Sequence, residues 1–354
     1  MRHDEVPSIA AERQGVRTGL LPLKGTVAAP LPDHVRDAVS AALEEHDLTP
    51  PSRGHLALRE AIARSLPAPV DPGREVLVTN GAMHGLSVLF RALLRRGDEV
   101  LVPTPAYFFG GLIERAGGVP VSVPSRRADG WRWDVETIER AVTRRTTTLV
   151  LCNPNNPTGY LPSRAEIDGL LALAERHGLT VVTDEAYERC IFDGPLASAF
   201  GAPRVVLVRS LGKSLAMPSW RIGFVAGDGA LVERCLRELE WDVLRVGHVV
   251  QRAAAAALDG PQDWLAELPR RLRQDRDAAH AIVSADPLLD ATLPPATPFL
   301  FLNLGPLSAE DLLAAGVAVV DGAAFGAPGY ARLPFAGAAA LHEELRRRLA
   351  LATA

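Results

Sequence analysis

Between residues 75 and 227, short apolar runs alternate with segments whose apolar positions recur every three to four residues. The runs are Val76 to Thr79, Glu99 to Pro103, Thr147 to Cys152, Thr180 to Thr183, Val205 to Val208 and Ile222 to Ala226. Their largely continuous hydrophobicity is that of strands covered on both faces of a parallel sheet. The periodic segments predict helices: one from Gly81, with Met83, Leu86, Leu89, Phe90 and Leu93 on one face, one over about Phe108 to Ala116, and one over about Arg164 to His177. Upstream, residues 1–30 read as an irregular, extended arm carrying Leu20 to Leu23 and Gly25. A helix follows over Leu31 to Glu45, with Pro32 and Asp33 suited to its first turn. Prolines 50 and 51 break the pattern before a helix over Gly54 to Leu66. Downstream come helices over about 228–258 and 262–285, strand signals at Phe299–Leu304 and Val317–Val320, and a closing helix over about Gly337 to Leu351.

This order predicts an α/β fold: a mostly parallel sheet sandwiched by helices, plus a smaller α+β domain. The expected division is an arm and part of the small domain over 1–45, a large domain over 46–265 and a small C-terminal domain over 266–354. Ligands of such sheets sit outside the carboxyl ends of the strands.

Composition narrows the class. With 47% apolar and 23% charged residues the chain is globular, and a net charge of -4 gives no footprint for nucleic acid or an anionic membrane. Cys152, Cys190 and Cys235 are far apart and form no metal-ligand pattern, which suits a reduced, cytoplasmic interior. The opening MRHDEVPSIAAERQG has no apolar core and is unlike a signal peptide. The alanine-rich run Ala253 to Leu258 is far too short to cross a bilayer.

Polar clusters stand where the strands end. TNGAMHG, at Thr79 to Gly85, offers free N–H groups and a helix dipole to a phosphate, or is an ordinary turn. Tyr107 in PTPAYFFG can stack on a planar ring, and reads equally as a core tyrosine. CNPNNPTGY, Cys152 to Tyr160, is a shaped loop that aims an amide inward, and its full string is the most specific of these signals. In TDEAYE, Asp184 ends an apolar run, so its carboxylate needs a buried partner: a protonated pyridine nitrogen or an arginine. Tyr187 can donate to a phenolate oxygen. In SLGKSLAMPSWRIGFVAG, Lys213 stands on a loop after a strand and Arg221 enters the next one. Together they suit a molecule carrying an aldehyde and a phosphate, since lysine forms a Schiff base and arginine grips phosphate bidentately. Arg332, in GYARLPFA, stands among apolar residues as a semi-buried carboxylate binder or a surface residue.

Taken in order, NGAMHG, PTPAY, NPNNPTG, DEAY, SLGK with Arg221 beyond it, and RLPFA make the chain resemble the class I/II aminotransferases, fold type I pyridoxal-phosphate enzymes, over nearly its whole length. The resemblance implies that Lys213 carries pyridoxal 5'-phosphate as an internal aldimine. It implies that Asp184 holds the pyridine nitrogen protonated, that Tyr187 and Asn156 bind the phenolate oxygen, and that Tyr107 stacks on the ring. The backbone at Ala82 and Met83, with Ser210 and Arg221, is expected to hold the phosphate. Arg332 is expected to bind the substrate α-carboxylate, with the loop at Gly25 covering the cleft. A homodimer with active sites at the interface is expected, and neither nucleic acid nor membrane as partner. Three positions depart from the family. Leu48 stands where a tyrosine reaches the partner's phosphate, Gly212 where a serine or threonine binds phosphate, and Asp321 where proline is common. Ser214 or Arg53 is a candidate replacement for the lost phosphate donors.

The implied activity moves an amino group from an L-amino acid to a 2-oxo acid. The same clusters would serve a lyase, cyclase or oxidase of specialised metabolism, and a non-catalytic sensor is a more distant reading. No second arginine reads as a clamp for a side-chain carboxylate. Phe108, Phe109 and Trp220 hint at an apolar substrate side chain and read as well as core residues.

Overall fold

A computed structural model describes residues 19–26, 28–45 and 48–353. Seven strands make the large sheet: β1 (Val76–Thr79), β2 (Glu99–Thr104), β3 (Val119–Pro124), β4 (Thr146–Cys152), β5 (Thr180–Asp184), β6 (Val205–Arg209) and β7 (Gly223–Ala226). Their spatial order is β1-β7-β6-β5-β4-β2-β3. All neighbours run parallel except β7, which is antiparallel to both β1 and β6. The carboxyl ends of β1, β2, β4, β5 and β6 therefore share one rim with the start of β7. That rim holds the polar clusters.

Helices cover both faces of the sheet. On one side α1 (Gly81–Leu93) packs on β1, β6, β7 and α2 (Gly229–Val243) through Leu86, Val88, Leu89 and Leu239. On the other, α3 (Arg164–His177) buries Ile167, Leu170 and Leu173. Ser163 and Glu166 close a capping box at the start of α3, and Gly178 ends it at φ 66, a left-handed conformation glycine adopts without Cβ strain. A further layer holds the helices Asp33–Glu44, Leu56–Ser65 and His248–Asp259.

The second sheet, order β10-β11-β9-β8, comprises β8 (Asp290–Ala291), β9 (Phe299–Asn303), β10 (Val320–Asp321) and β11 (Tyr330–Pro334). Its core joins Leu300, Leu302 and Leu333 to the helices Leu268–Ser284 and His342–Ala352, and takes in Leu21 and Leu23 from the N-terminal arm. No helix among the described residues is long and apolar enough to cross a membrane.

The structure departs from the pattern-based reading at several places. The segment read as one helix over about 228–258 is two, because Leu244 turns the chain at φ 62. The closing helix begins at His342 rather than Gly337, after turns that start with Gly337 at φ 100. β3, an edge strand, was not read because its exposed VPVSVP lacks a long apolar run. β11 was not read because a charged residue, Arg332, interrupts it.

Candidate active site

The anion seat forms where β1 turns into α1. Asn80 precedes α1 without a side-chain cap, so the first N–H groups of the helix, at Gly81, Ala82 and Met83, have no intrahelical partner. Gly81 has φ 79, and a Cβ there would stand 2.8 Å from Arg221 Nη2. The guanidinium therefore lies against the helix N-terminus, and the two positive ends converge on one spot. The turn closes further because Thr79 pairs with Gly223, where a Cβ would meet Ala82 N at 2.9 Å. Ser210, buried, precedes the one-turn helix Leu211–Ser214 that carries Lys213. The lysine thus sits on a helical turn rather than the loop its sequence suggests. Both candidate replacement donors have partners elsewhere: Arg53 is engaged by Glu233 and the Arg74 carbonyl, and Ser214 by Glu188 and the Ser210 carbonyl. A side chain at Gly212 would press on the Met217 carbonyl, 3.1 Å from its Cβ.

The slot beside the seat is lined by β-strand ends. Asp184 closes β5, buried, opposite Cys152 of β4. Its Oδ1 accepts from Ala186 N–H at 3.0 Å, and no cation pairs with it among the described residues. Burial pushes its pKa up to about 7 against that hydrogen bond, with Glu185 and Glu188 adding to the rise. Tyr107, following β2, lies within the fields of Asp184, Arg332 and Arg221, and burial pushes its phenol up to about 12. Lys213 Nζ stands 5.4 Å from the Tyr187 ring centroid, with no hydrogen bond or ion pair among the described residues. Burial lowers its pKa to about 8; Cys190 opposes the shift, and Arg332 and Arg221 add to it.

The Asn-Pro loop divides its labour. Asn153 Nδ2 donates to the Ala197 carbonyl at 2.9 Å. Asn155 Nδ2 donates to the Pro105 carbonyl, and its Oδ1 accepts from Thr158. Both hold the loop in shape. Asn156 points into the site, and its Oδ1 accepts from Arg332 Nη1 at 2.9 Å. Arg332 is buried between the rings of Phe299 (4.3 Å from guanidinium carbon to centroid) and Phe325 (4.9 Å), with Phe108 at 6.0 Å. Its Nε has no partner among the described residues. Phe299 also meets Tyr187 edge-on, centroids 5.5 Å apart, and a Cβ at Gly25 would strike its ring at 2.7 Å. Gly25 is therefore the position where the arm can cross the aromatic cage.

Lys213, Asp184, Tyr107, Tyr187, Asn156, Arg221 and Arg332 come together at this rim, whereas Phe109 and Trp220 pack into the cores, Leu48 is exposed and Arg53 turns to Glu233. Phe299 and Phe325, which flank the guanidinium, read in sequence as ordinary apolar strand and turn residues. A cavity of about 370 Å³ opens beside Lys213 and Tyr187, walled by Thr26, Cys190, Leu265 and Leu268 among others.

Comparison with known proteins gives this arrangement its family. Residues 22–349 match the family Aminotransferase class I and II. An aspartate aminotransferase of Pyrococcus abyssi is 32% identical over 90% of this chain and 87% of its own. A probable aspartate/prephenate aminotransferase of Thermus aquaticus is 33% identical over 86% and 84%. The solved structure of an aspartate aminotransferase from Thermus thermophilus with maleate superposes with a TM-score of 0.92 at 30% identity, covering 99% of this chain and 97% of that one. The chain belongs to the class I and II aminotransferases and is a transaminase that depends on pyridoxal phosphate. Its own residues fit that group: among the described residues, a buried carboxyl lacking a cation, a half-buried amine lacking an anion, and uncapped N–H groups beside an arginine.

Proposed function

We propose that this member of the class I and II aminotransferases transfers an amino group from an L-amino acid to a 2-oxo acid with Lys213 as its reactive amine. The observation that carries the reading is the convergence of half-buried Lys213 with buried Asp184 and Arg332 in one cleft, each lacking an ion-pair partner among the described residues. When bound, pyridoxal phosphate supplies the aldehyde and the electron sink.

In this reading, Asp184 keeps a proton on the pyridine nitrogen, and its burial makes that pairing strong. Tyr187 and Asn156 donate to the phenolate oxygen, and Tyr107 lies against the ring. The N–H groups of Ala82 and Met83, with Ser210 and Arg221, take the phosphate. Arg332 holds the substrate α-carboxylate, and Asn156 and the flanking rings fix its fork. Lys213, with a pKa lowered to about 8, has an appreciable neutral fraction near pH 7 and can take the Cα proton. Gly25 lets the arm close over Phe299 and exclude water.

The large domain of 46–265, the small domain of 266–354 and the arm of 1–45 belong to this reading, with the helix Asp33–Glu44 lying on the large core. So does a homodimer with its sites at the interface. Its support is an apolar stretch of Trp241 (92% exposed), Val243 and Leu244, with Leu48 also exposed and Arg245 bonded to the Pro50 carbonyl nearby. A cytoplasmic location is supported by three cysteines that stand unpaired.

The names of the relatives make L-aspartate the first donor to test. Steady-state rates with L-aspartate and 2-oxoglutarate should give the parallel double-reciprocal lines of a ping-pong reaction. Intersecting lines, or turnover that releases ammonia without a 2-oxo acceptor, would favour a different reaction at the same amine.

A further inference from the structure

A second carboxyl, on the half-buried residue Glu188, stands beside the lysine turn, and the reaction as described above gives it no task. Glu188 Oε1 lies 2.5 Å from Ser214 Oγ, and Ser214 Oγ lies 3.0 Å from the Ser210 carbonyl. Glu188 Oε2 is sealed from solvent without a hydrogen-bond partner.

The charged groups that bear on Glu188 are Arg209, Arg189 and Asp184, with the Cys190 thiol nearby. Arg209 is committed to Glu185 at 2.6 Å. Arg189 is exposed and donates to Gln262. Asp184 is itself a buried carboxyl and opposes a second negative charge. Among the described residues no cation is free to pair with Glu188, and an ionised carboxylate with an orphaned oxygen is costly inside a protein.

Proton counting agrees. The Ser214 hydroxyl has one proton and faces two acceptors. Both contacts are full two-centre hydrogen bonds only if the carboxyl brings a proton of its own; otherwise the one hydroxyl proton is shared between them. With that proton, Glu188 donates to Ser214 Oγ, and Ser214 donates to the Ser210 carbonyl.

We propose that Glu188 is a positioning residue for Lys213, held as a neutral carboxylic acid that closes the chain Glu188–Ser214–Ser210 around the turn bearing the lysine. Burial drives its proton affinity in the same direction, against Arg209 and Ser214. The turn needs such support: a helix of one turn, Leu211–Ser214, does not hold itself, and the Ser210 carbonyl is also its anchor for Lys213 N–H and Ser214 N–H. A neutral Glu188 also leaves Asp184 as the one ionised carboxylate available to the ring nitrogen.

This inference rests on Lys213 being the reactive amine, and its test separates the two. Glu188→Gln keeps the shape, stays neutral and can donate to Ser214 Oγ; Glu188→Ala cannot. Loss of a buried hydrogen bond should lower kcat of Glu188→Ala about tenfold, with KM for the amino donor within about threefold. The pH profile of the lysine-bound cofactor's absorbance should shift in Glu188→Ala and return in Glu188→Gln. Independently of turnover, the infrared difference between wild-type and Glu188→Gln apoprotein near about pH 6 should contain a protonated-carboxyl stretch, since an ordinary glutamate titrates near pH 4.3 and is ionised there. A carboxylate band there instead, or Glu188→Gln as impaired as Glu188→Ala, overturns the proposal. Wild-type protein that shows the band but no transamination would sink the assigned function and leave the neutral acid standing.

Discussion

Arg332 and Asn156, 176 residues apart in sequence, meet through a single hydrogen bond of 2.9 Å between Nη1 and Oδ1. The bond joins β11 of the small sheet to the Asn-Pro loop that follows β4 of the large one. One end of the arginine fork is thereby fixed, while its Nε is left without a partner among the described residues. A guanidinium sealed between aromatic rings and lacking a carboxylate is prepared to receive one.

Arg332→Lys removes the planar fork and keeps the charge. Hydrogen bonds to charged groups contribute about 1.5–3 kcal/mol, so KM for the amino donor should rise roughly 10–100-fold. Steady-state kinetics with a fixed 2-oxo acid would check this. A KM within about twofold of wild type would place the carboxylate elsewhere.

Asp184 predicts a pH-dependent stability for the apoprotein. Its folded pKa, about 7, is raised above the ordinary carboxylate value, so between the two the folded state binds more protons than the unfolded one. Stability is then fullest at acid pH and falls as pH rises towards about 7, by up to about 1.4 kcal/mol per pH unit from this group. Asp184→Asn should remove Asp184's share of that slope in the apoprotein, leaving any part due to Glu188, and yet cripple the holoenzyme. Urea unfolding at two pH values measures it, and an unchanged slope in the variant would show that another group is responsible.

Gly81→Ala tests the anion seat. The new methyl would push on Arg221 Nη2, and the residue's φ of 79 would be strained. A left-handed non-glycine residue costs about 1–2 kcal/mol, and displacing the arginine should weaken cofactor binding about tenfold. Titration of the apoprotein with pyridoxal phosphate gives the Kd. An unaltered Kd would mean that Arg221 does not reach the phosphate.

The large sheet was legible because its strands are buried on both faces and read as unbroken apolar runs, and because their polar residues cluster at one end. Lys213, Asp184 and Arg221 stood out for the same reason: each follows or enters such a run. What remained hidden depends on contacts distant in sequence. Nothing in NPNNPTG distinguishes Asn155, which braces the loop, from Asn156, which faces the site. The aromatic cage of Phe299 and Phe325 forms only when β9 and the turn Gly322–Phe325 fold beside β11, a strand that its own arginine disguises. Leu48 and Gly212 read as lost phosphate donors, and the structure shows Gly212 set against the Met217 carbonyl with little room for a side chain.

The most direct test is a half-reaction. Holoenzyme would be mixed with L-aspartate, then with other L-amino acids, in the absence of any 2-oxo acid, and its absorption spectrum followed. The account predicts loss of the lysine-bound cofactor's absorbance and appearance of the pyridoxamine form, with one 2-oxo acid released per site. Lys213→Ala should show neither. Release of ammonia or peroxide in place of stoichiometric pyridoxamine, or a protein that stays colourless when pyridoxal phosphate is added, would contradict it.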